Sequence, residues 1–221
     1  MIRVNVVSHP YAQAILTVLR DRRTSQIEFR KGLVRVGRVL GLEMVKEFEV
    51  EECEVETPLG TRAKGIRIKD LDRVVIVTVL RAAWPLTEGL VKIFYNARQG
   101  VVAARRLEER GMHNHEFEIE VAYVKIPAIS PNDIVIVSDV MVATGSTMSR
   151  VLREVIRYGK AKKYFIASVI ITPIAFEKLK KTAEELGIDL TIYTLSIDPQ
   201  INESGYIVPG LGDAGDRAFG S

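Results

Sequence analysis

Short runs of β-branched residues alternate along the chain with stretches whose apolar positions recur every three or four residues. Residues 11–22 carry Ala14, Ile15, Val18 and Leu19 on one helical face, and residues 25–40 carry Ile27, Leu33, Val36 and Leu40 on another. Residues 50–57 and 63–68 flank Pro58, Leu59, Gly60 and Thr61, a turn signal that predicts a hairpin. Beyond it the pattern predicts a strand over 74–79, a helix near 86–95 and strands over 101–104, 119–125 and 134–138. A helix over 148–158, a strand over 164–172, a helix running to 186 and a strand over 190–197 follow. Strands separated by helices need crossover connections, so the expected architecture is α/β with a mainly parallel central sheet flanked by helices. No internal repeat or low-complexity linker interrupts the chain, and the N-terminal helices and the β-hairpin arm are expected to pack on the same core in one domain over residues 1–221.

Composition changes this picture only slightly. With 47% hydrophobic residues among 221, the chain can bury a substantial core. Lys and Arg number 31 against 28 Asp and Glu, a formal charge of +3 spread along the chain. No compact basic block with interleaved aromatics marks a nucleic-acid partner, and phosphorylated small molecules account for the excess equally well. Cys53 is the single cysteine, which leaves no disulfide framework or Cys-based metal site and fits a reducing cytoplasm. Met1 leads directly into IRVNVVSHP without a charged-then-apolar leader, and no apolar run approaches the ~18 residues of a membrane span, so no membrane partner is expected.

Candidate chemistry concentrates after the strand at 134–138, which delivers Asp139 and then Ala143, Thr144, Gly145, Ser146 and Thr147 to the start of a helix. A helix N-terminus offers unpaired N–H groups to an anion, glycine lets the backbone approach it, and three hydroxyls add donors. The plainer alternative is a strand-to-helix turn capped by Ser146 or Thr147. The carboxylate and the hydroxyl-glycine loop occurring together favour a phosphate cradle. The chain lacks both GxxxxGK[ST] and a GxGxxG after a strand, which sets aside the P-loop and dinucleotide-binding families.

The segment resembles the phosphoribosyl-diphosphate (PRPP) loop of the type I phosphoribosyltransferases, in which an acidic residue ends a strand and a TG[ST]-like loop holds a 5-phosphate. The resemblance implies that Asp139 fixes the ribose hydroxyls and that Val140, Met141, Val142, Ala143, Thr144, Gly145, Ser146 and Thr147 complete the PRPP site. Many members carry two successive acidic residues, whereas position 138 is Ser138; the implied Mg2+ is then held mainly through PRPP, with no direct protein ligand set. Ile197-Asp198, followed by Asn202 through Gly220 (NESGYIVPGLGDAGDRAFG), closely resembles the signature of the uracil phosphoribosyltransferases. By pattern alone a Gly-rich tail reads as a disordered terminus, yet Tyr206, Ile207, Val208 and Leu211 are interleaved with its glycines, as flexible linkers rarely are.

His9-Pro10, residues 21–24, Phe29-Arg30, Val79-Leu80-Arg81-Ala82-Ala83 and Arg106-Leu107-Glu108-Glu109 extend the resemblance over nearly the whole chain, and residues 29–34 with Ala82-Ala83 look most like the archaeal branch. The implied reaction is uracil plus PRPP giving UMP and diphosphate. Arg81 and Arg106 would hold the diphosphate, for which a forked guanidinium suits better than an ammonium. Backbone groups of Ile207, Gly212 and Ala214 would read uracil in a C-terminal hood, with Asp213 near both base and ribose. Archaeal-type relatives are activated by GTP through the segment matching Arg30, Lys31, Gly32, Leu33 and Val34; a CTP inhibitor and a homo-oligomer, dimer or tetramer, are further implications. Ala83 stands where the family usually has glycine and is expected to restrict the backbone.

Other residues have plainer readings. Arg81 or Arg106 alone would be read as a surface ion-pair former, since exposed arginines are common. His9, His113 and His115 could suggest a metal site, but His113-Asn114-His115 lacks a third nearby ligand and, between Gly111 and a strand, reads as an exposed loop. Trp84 reads as packing or a subunit contact; for Tyr206, stacking on the base and filling the tail's own core stay equally open. Alternative functions are another base acceptor, a PRPP-fold regulator that binds RNA, and a noncatalytic interaction protein. The tail argues against the first two, and the combination of Asp139, Arg81 and the loop argues against the third.

Overall fold

The computed structural model describes residues 2–107 and 118–220, with the Arg106 side chain left aside. In chain order the first half forms β1 (Ile2–Val6), α1 (Pro10–Arg20), α2 (Gln26–Val45), β2 (Val50–Glu56), β3 (Arg62–Ile68), β4 (Val74–Leu80), α3 (Trp84–Val91), β5 (Arg98–Arg106) and β6 (Ile119–Lys125). The second half forms β7 (Ile134–Ser138), β8 (Met141–Val142), α4 (Ser146–Ile156), β9 (Lys163–Ala167), β10 (Ile170–Ile171), α5 (Pro173–Leu186), β11 (Leu190–Thr194), β12 (Ser196–Ile197), β13 (Gln200–Ile201), β14 (Ile207–Val208) and α6 (Ala214–Phe219).

Seven strands make the central sheet in the order β1-β11-β9-β7-β4-β5-β6. Every pairing in it is parallel except β5 with β6. Both faces are covered, so the central strands β4 and β7 are apolar except at Thr78 and Ser138: Ile134 and Ile136 of β7 face one core with Phe29, Leu33, Leu86 and Tyr193, while Val135 and Val137 face the other with Val151, Leu152 and Leu179. α1, α2, α3 and α6 thus share one face, and α4 and α5 the other. On the first face α2 and α3 meet backbone to backbone: a β-carbon on Gly37 would lie 2.1 Å from Leu86 O, and one on Gly89 the same distance from Val34 O.

Two differences from the sequence expectation bear on the site. Residues 2–6 form an additional strand, β1, at the sheet edge beside β11. The single strands expected at 164–172 and 190–197 each break, and their ends bend into a small parallel sheet β12-β10-β8 above the main one. Buried hydroxyls mark both breaks: Ser168 Oγ lies within hydrogen-bond distance of Val140 O and Ile170 O, and Thr194 Oγ1 of Val169 O and Ser196 O. The expected β2–β3 hairpin forms, pairing from Val50 opposite Ile68 to Glu56 opposite Arg62.

Candidate active site

The crossovers set where a ligand can sit. From β4 the chain passes through α3 on one face to β5, whereas β7 leads through α4 and then α5 on the opposite face to β9 and β11. The helices therefore diverge between the neighbouring strands β4 and β7, opening a crevice at their C-terminal ends. Arg81 directly follows β4 and Asp139 directly follows β7.

The segment after β7 is tied down on all sides. Asp139 N–H donates to Ala167 O at 3.0 Å, Val140 O accepts Val169 N–H at 3.0 Å, and Ala143 O accepts the Thr172 hydroxyl at 2.5 Å. Gly145 turns the chain into α4 with φ +77°, and a β-carbon there would also press within 3.2 Å of the Ala175 backbone. Gly145 itself occupies the cap position of α4, with neither Ser146 nor Thr147 acting as a side-chain cap. The helix begins at Ser146, two residues earlier than its apolar spacing suggested.

The tail folds back over this crevice. Asp198, its side chain 3% exposed, accepts a bidentate pair from Arg20 at 2.8 and 2.7 Å, the Ser196 hydroxyl at 2.7 Å and Gly210 N–H at 2.9 Å. Burial pushes the Asp198 carboxyl up, but these donors outweigh it and hold it below the ordinary carboxylate value. Gly210 has φ +61°, and a β-carbon on it would strike Ile207 O at 2.1 Å, so only glycine allows this return. From α6, Arg217 donates to Leu19 O, to Leu211 O at 2.8 Å and to Asp21 O at 2.7 Å, with its guanidinium 4.2 Å from the centre of the Phe29 ring. Two arginines thus fasten the hood to α1 and its end, and neither stands out in the sequence except as part of the tail's surroundings.

Loop and hood meet around a cavity of about 290 Å³ lined by Asp139, Val140, Met141 and Ala143 on one side and by Ile207, Asp213 and Ala214 on the other. Ala82, Arg105, Gly205, Tyr206 and Gly215 complete the lining. Gly212 is exposed and outside it, and Val142 is buried in the core. Thr144 and Ser146 face instead a larger groove of about 950 Å³ between α4 and α5; Gly145 and Thr147 line neither. Arg105, unremarked in the sequence, reaches the cavity wall and pairs with Glu120 at 2.5 Å. Arg106 ends β5 in the sheet, but its side chain, Glu108, Glu109, His113 and His115 lie outside the described residues.

Arg81 rests on the hood: its Nη2 lies 3.1 Å from Asp216 Oδ1 and its guanidinium 5.9 Å from the Phe219 ring centre. Both partners are more than half exposed, so the pair is weak. The Leu80–Arg81 and Val208–Pro209 peptides are cis. Ala83 adopts φ −78° and is fully buried, so the β-carbon that sequence reasoning expected to restrict the backbone sits in an ordinary helical conformation. Ser138 is buried in a hydroxyl chain with Thr87 at 2.5 Å, which in turn meets Thr78 at 2.9 Å.

A family model described as uracil phosphoribosyltransferase matches residues 6–221. The chain belongs to the uracil phosphoribosyltransferase family. Its sequence is 53% identical over 216 residues to a uracil phosphoribosyltransferase of Pyrobaculum arsenaticum, covering 98% of each chain. It is 50% identical over 212 residues to the one of Thermococcus gammatolerans, covering 96% of this chain and 90% of that one. Among solved structures, the AQ2163 protein of Aquifex aeolicus superposes with a TM-score of 0.84 at 30% identity, over 98% of both chains.

Of the remaining expected residues, those of α2 and His9 sit apart from the crevice. On α2, Gly32 and Leu33 face the core, while Arg30, Lys31 and Val34 line a surface depression of about 460 Å³ with Arg35, Arg38 and Trp84. His9 caps α1, its Nδ1 accepting Tyr11 N–H at 3.2 Å. Tyr206 is 39% exposed at the cavity edge.

Proposed function

We propose that the chain transfers the phosphoribosyl group of PRPP to uracil at the crevice between β4 and β7, giving UMP and diphosphate. The observation that carries this reading is the shared cavity, in which the Asp139 end of the loop and Ile207, Asp213 and Ala214 of the hood face one another. At about 290 Å³ it lies at the small end of ligand sites, which suits a base and the adjoining ribose and leaves the charged ends of PRPP to the surrounding loops.

In this reading Asp139 accepts from the ribose hydroxyls, and the 139–147 segment surrounds the 5-phosphate at the start of α4. Bond formation at the ribose C1 passes through an oxocarbenium-like state, so the chain's work is alignment of uracil N1 with C1 and stabilisation of the departing diphosphate. Arg81 and Arg106 hold that diphosphate, and the weak pair with Asp216 lets Arg81 turn to it. Backbone groups of Ile207, Gly212 and Ala214 present donors to the uracil carbonyls and an acceptor to its N3–H. Asp139 and Asp213 are hard oxygen donors at the cavity, which suits magnesium held mainly through PRPP; among the described residues no group of three or more His, Cys, Asp or Glu could hold it. The ion supplies neutralisation of the diphosphate charge.

The basic depression on α2 supports GTP as an activator, with Arg30 and Lys31 beside Arg35 and Arg38; CTP inhibition and a cytoplasmic homo-oligomer complete the proposal. Among the described residues no helix is long and apolar enough to cross a membrane. The test is nucleotide formation from PRPP and a panel of bases. Uracil is expected to react, and cytosine, with the opposite hydrogen-bonding sense at N3 and C4, to be rejected by on the order of ten-thousandfold. Equal use of cytosine or hypoxanthine overturns the reading.

A further inference from the structure

Ser146, the first residue of α4, is held in a directed hydrogen-bond chain. Its hydroxyl oxygen accepts from Thr144 Oγ1 at 3.1 Å and from Lys178 Nζ at 3.0 Å, while Thr144 Oγ1 accepts Ser146 N–H at 3.3 Å. A serine hydroxyl has two lone pairs and one hydrogen. With both lone pairs engaged, the Ser146 hydroxyl can meet a further group only as a donor. Ser146 is 8% exposed and Thr144 3%, so the two hydroxyls are largely out of water, while Lys178 is half-buried at the wall of the groove.

Lys178 reaches this point from α5, whose start is fixed to the loop. The Thr172 hydroxyl that caps α5, accepting Ala175 N–H at 3.1 Å, also donates to Ala143 O at 2.5 Å. The Gly145 turn packs against Ala175 one helical turn before Lys178. An ammonium three residues beyond Ala175 is therefore delivered behind the loop by backbone geometry.

We propose that Lys178 is a positioning residue of the phosphate loop: its ammonium, bonded to Ser146, commits that hydroxyl to donating toward the 5-phosphate of PRPP and UMP. It also places a positive charge behind the loop, which strengthens the same bond. The inference rests on the phosphate-loop reading of residues 139–147 given above.

The test uses Lys178→Met, which keeps the apolar stem, Lys178→Arg, which keeps the charge, Ser146→Ala, and the Ser146→Ala/Lys178→Met double variant. Each is measured by steady-state kinetics and by equilibrium binding of ribose 5-phosphate and of ribose. Lys178→Met is expected to raise KM for PRPP and Kd for ribose 5-phosphate by on the order of tenfold, the size of one charge-assisted bond. Its kcat, its KM for uracil and its Kd for ribose should stay within about twofold, and Lys178→Arg should recover most of the loss. Because Lys178 acts through Ser146, the double variant should be no worse than Ser146→Ala alone. Additive losses, or a Lys178→Met protein with unchanged ribose 5-phosphate affinity beside a weakened Ser146→Ala, overturn this inference and leave the loop reading standing. A Ser146→Ala protein that binds ribose 5-phosphate normally removes both.

Discussion

Replacing Asp198 by alanine should separate the base half of the site from the phosphate half. The carboxylate accepts four hydrogen bonds with its side chain 3% exposed, and its loss leaves the Gly210 N–H without its acceptor and Arg20 without its counter-ion. Breaking a fully buried ion pair costs about 3–5 kcal/mol. The Arg20 side chain is 25% exposed, so water recovers part of its solvation, and about 2–3 kcal/mol is a fair expectation. For a chain of this size that corresponds to a fall of roughly 5–10 °C in Tm. Because the lost bonds hold Gly210 and the hood, KM for uracil should rise by on the order of tenfold while KM for PRPP changes little. Urea denaturation and initial-rate kinetics with each substrate varied in turn are the assays. The depressed Asp198 carboxyl also gives a sign for pH: its contribution is present above the unfolded value of 3.8 and is lost as pH falls through the lower folded value, so wild type and Asp198→Ala should converge in acid. An unchanged urea midpoint together with an unchanged KM for uracil would refute the clamp.

Asp139→Asn should keep the fold and lower kcat/KM for PRPP by one charge-assisted bond, roughly 1.5–3 kcal/mol; normal turnover at limiting PRPP would take Asp139 out of the site. Asp216→Asn releases Arg81 from an exposed pair worth under about 1 kcal/mol, so Tm should barely move while KM for PRPP falls a few-fold; a raised KM would mean that the pair holds Arg81 ready rather than competing with diphosphate. Glu47, bonded to Lys163 and the Tyr193 hydroxyl and near Arg3, is pushed up by burial but pulled further down by these partners. Glu47→Gln should therefore lose stability at neutral pH and match wild type once pH drops well below 4.5, and a difference that persists in acid would count against it.

How legible each part was depended on the reach of the contacts that define it. β4 and β7 are covered on both faces, so their apolar runs over 74–77 and 134–137 announce them. β1 shows no such run: at the sheet edge its burial alternates with exposure, and only pairing with β11 makes it a strand. The breaks after Ala167 and Thr194 fall where the Ser168 and Thr194 hydroxyls meet carbonyls of other segments, which periodicity does not encode. In the site, Asp139 and the loop occupy nine consecutive residues and could be read directly. Arg20, Asp198 and Arg217 gain their roles through contacts spanning up to 198 positions, and Lys178 through one spanning 32. The one local hint was Asp198 itself, a carboxylate ending an apolar strand just before the tail.

The clamp between α1 and the hood has a consequence for assembly. The loop after β7 is held by segments close to it in sequence, whereas the hood closes only when Arg20 meets Asp198 and Gly210, and when Arg217 meets Leu19 and Asp21. Contacts of such separation form late, because the entropy of closing the intervening chain must be met first. During synthesis the segment proposed to bind phosphate can therefore take shape while Arg20 still waits for Asp198 and Gly210. On mild heating the order should reverse, with the hood opening before the sheet melts and affinity for uracil fading while the core remains folded.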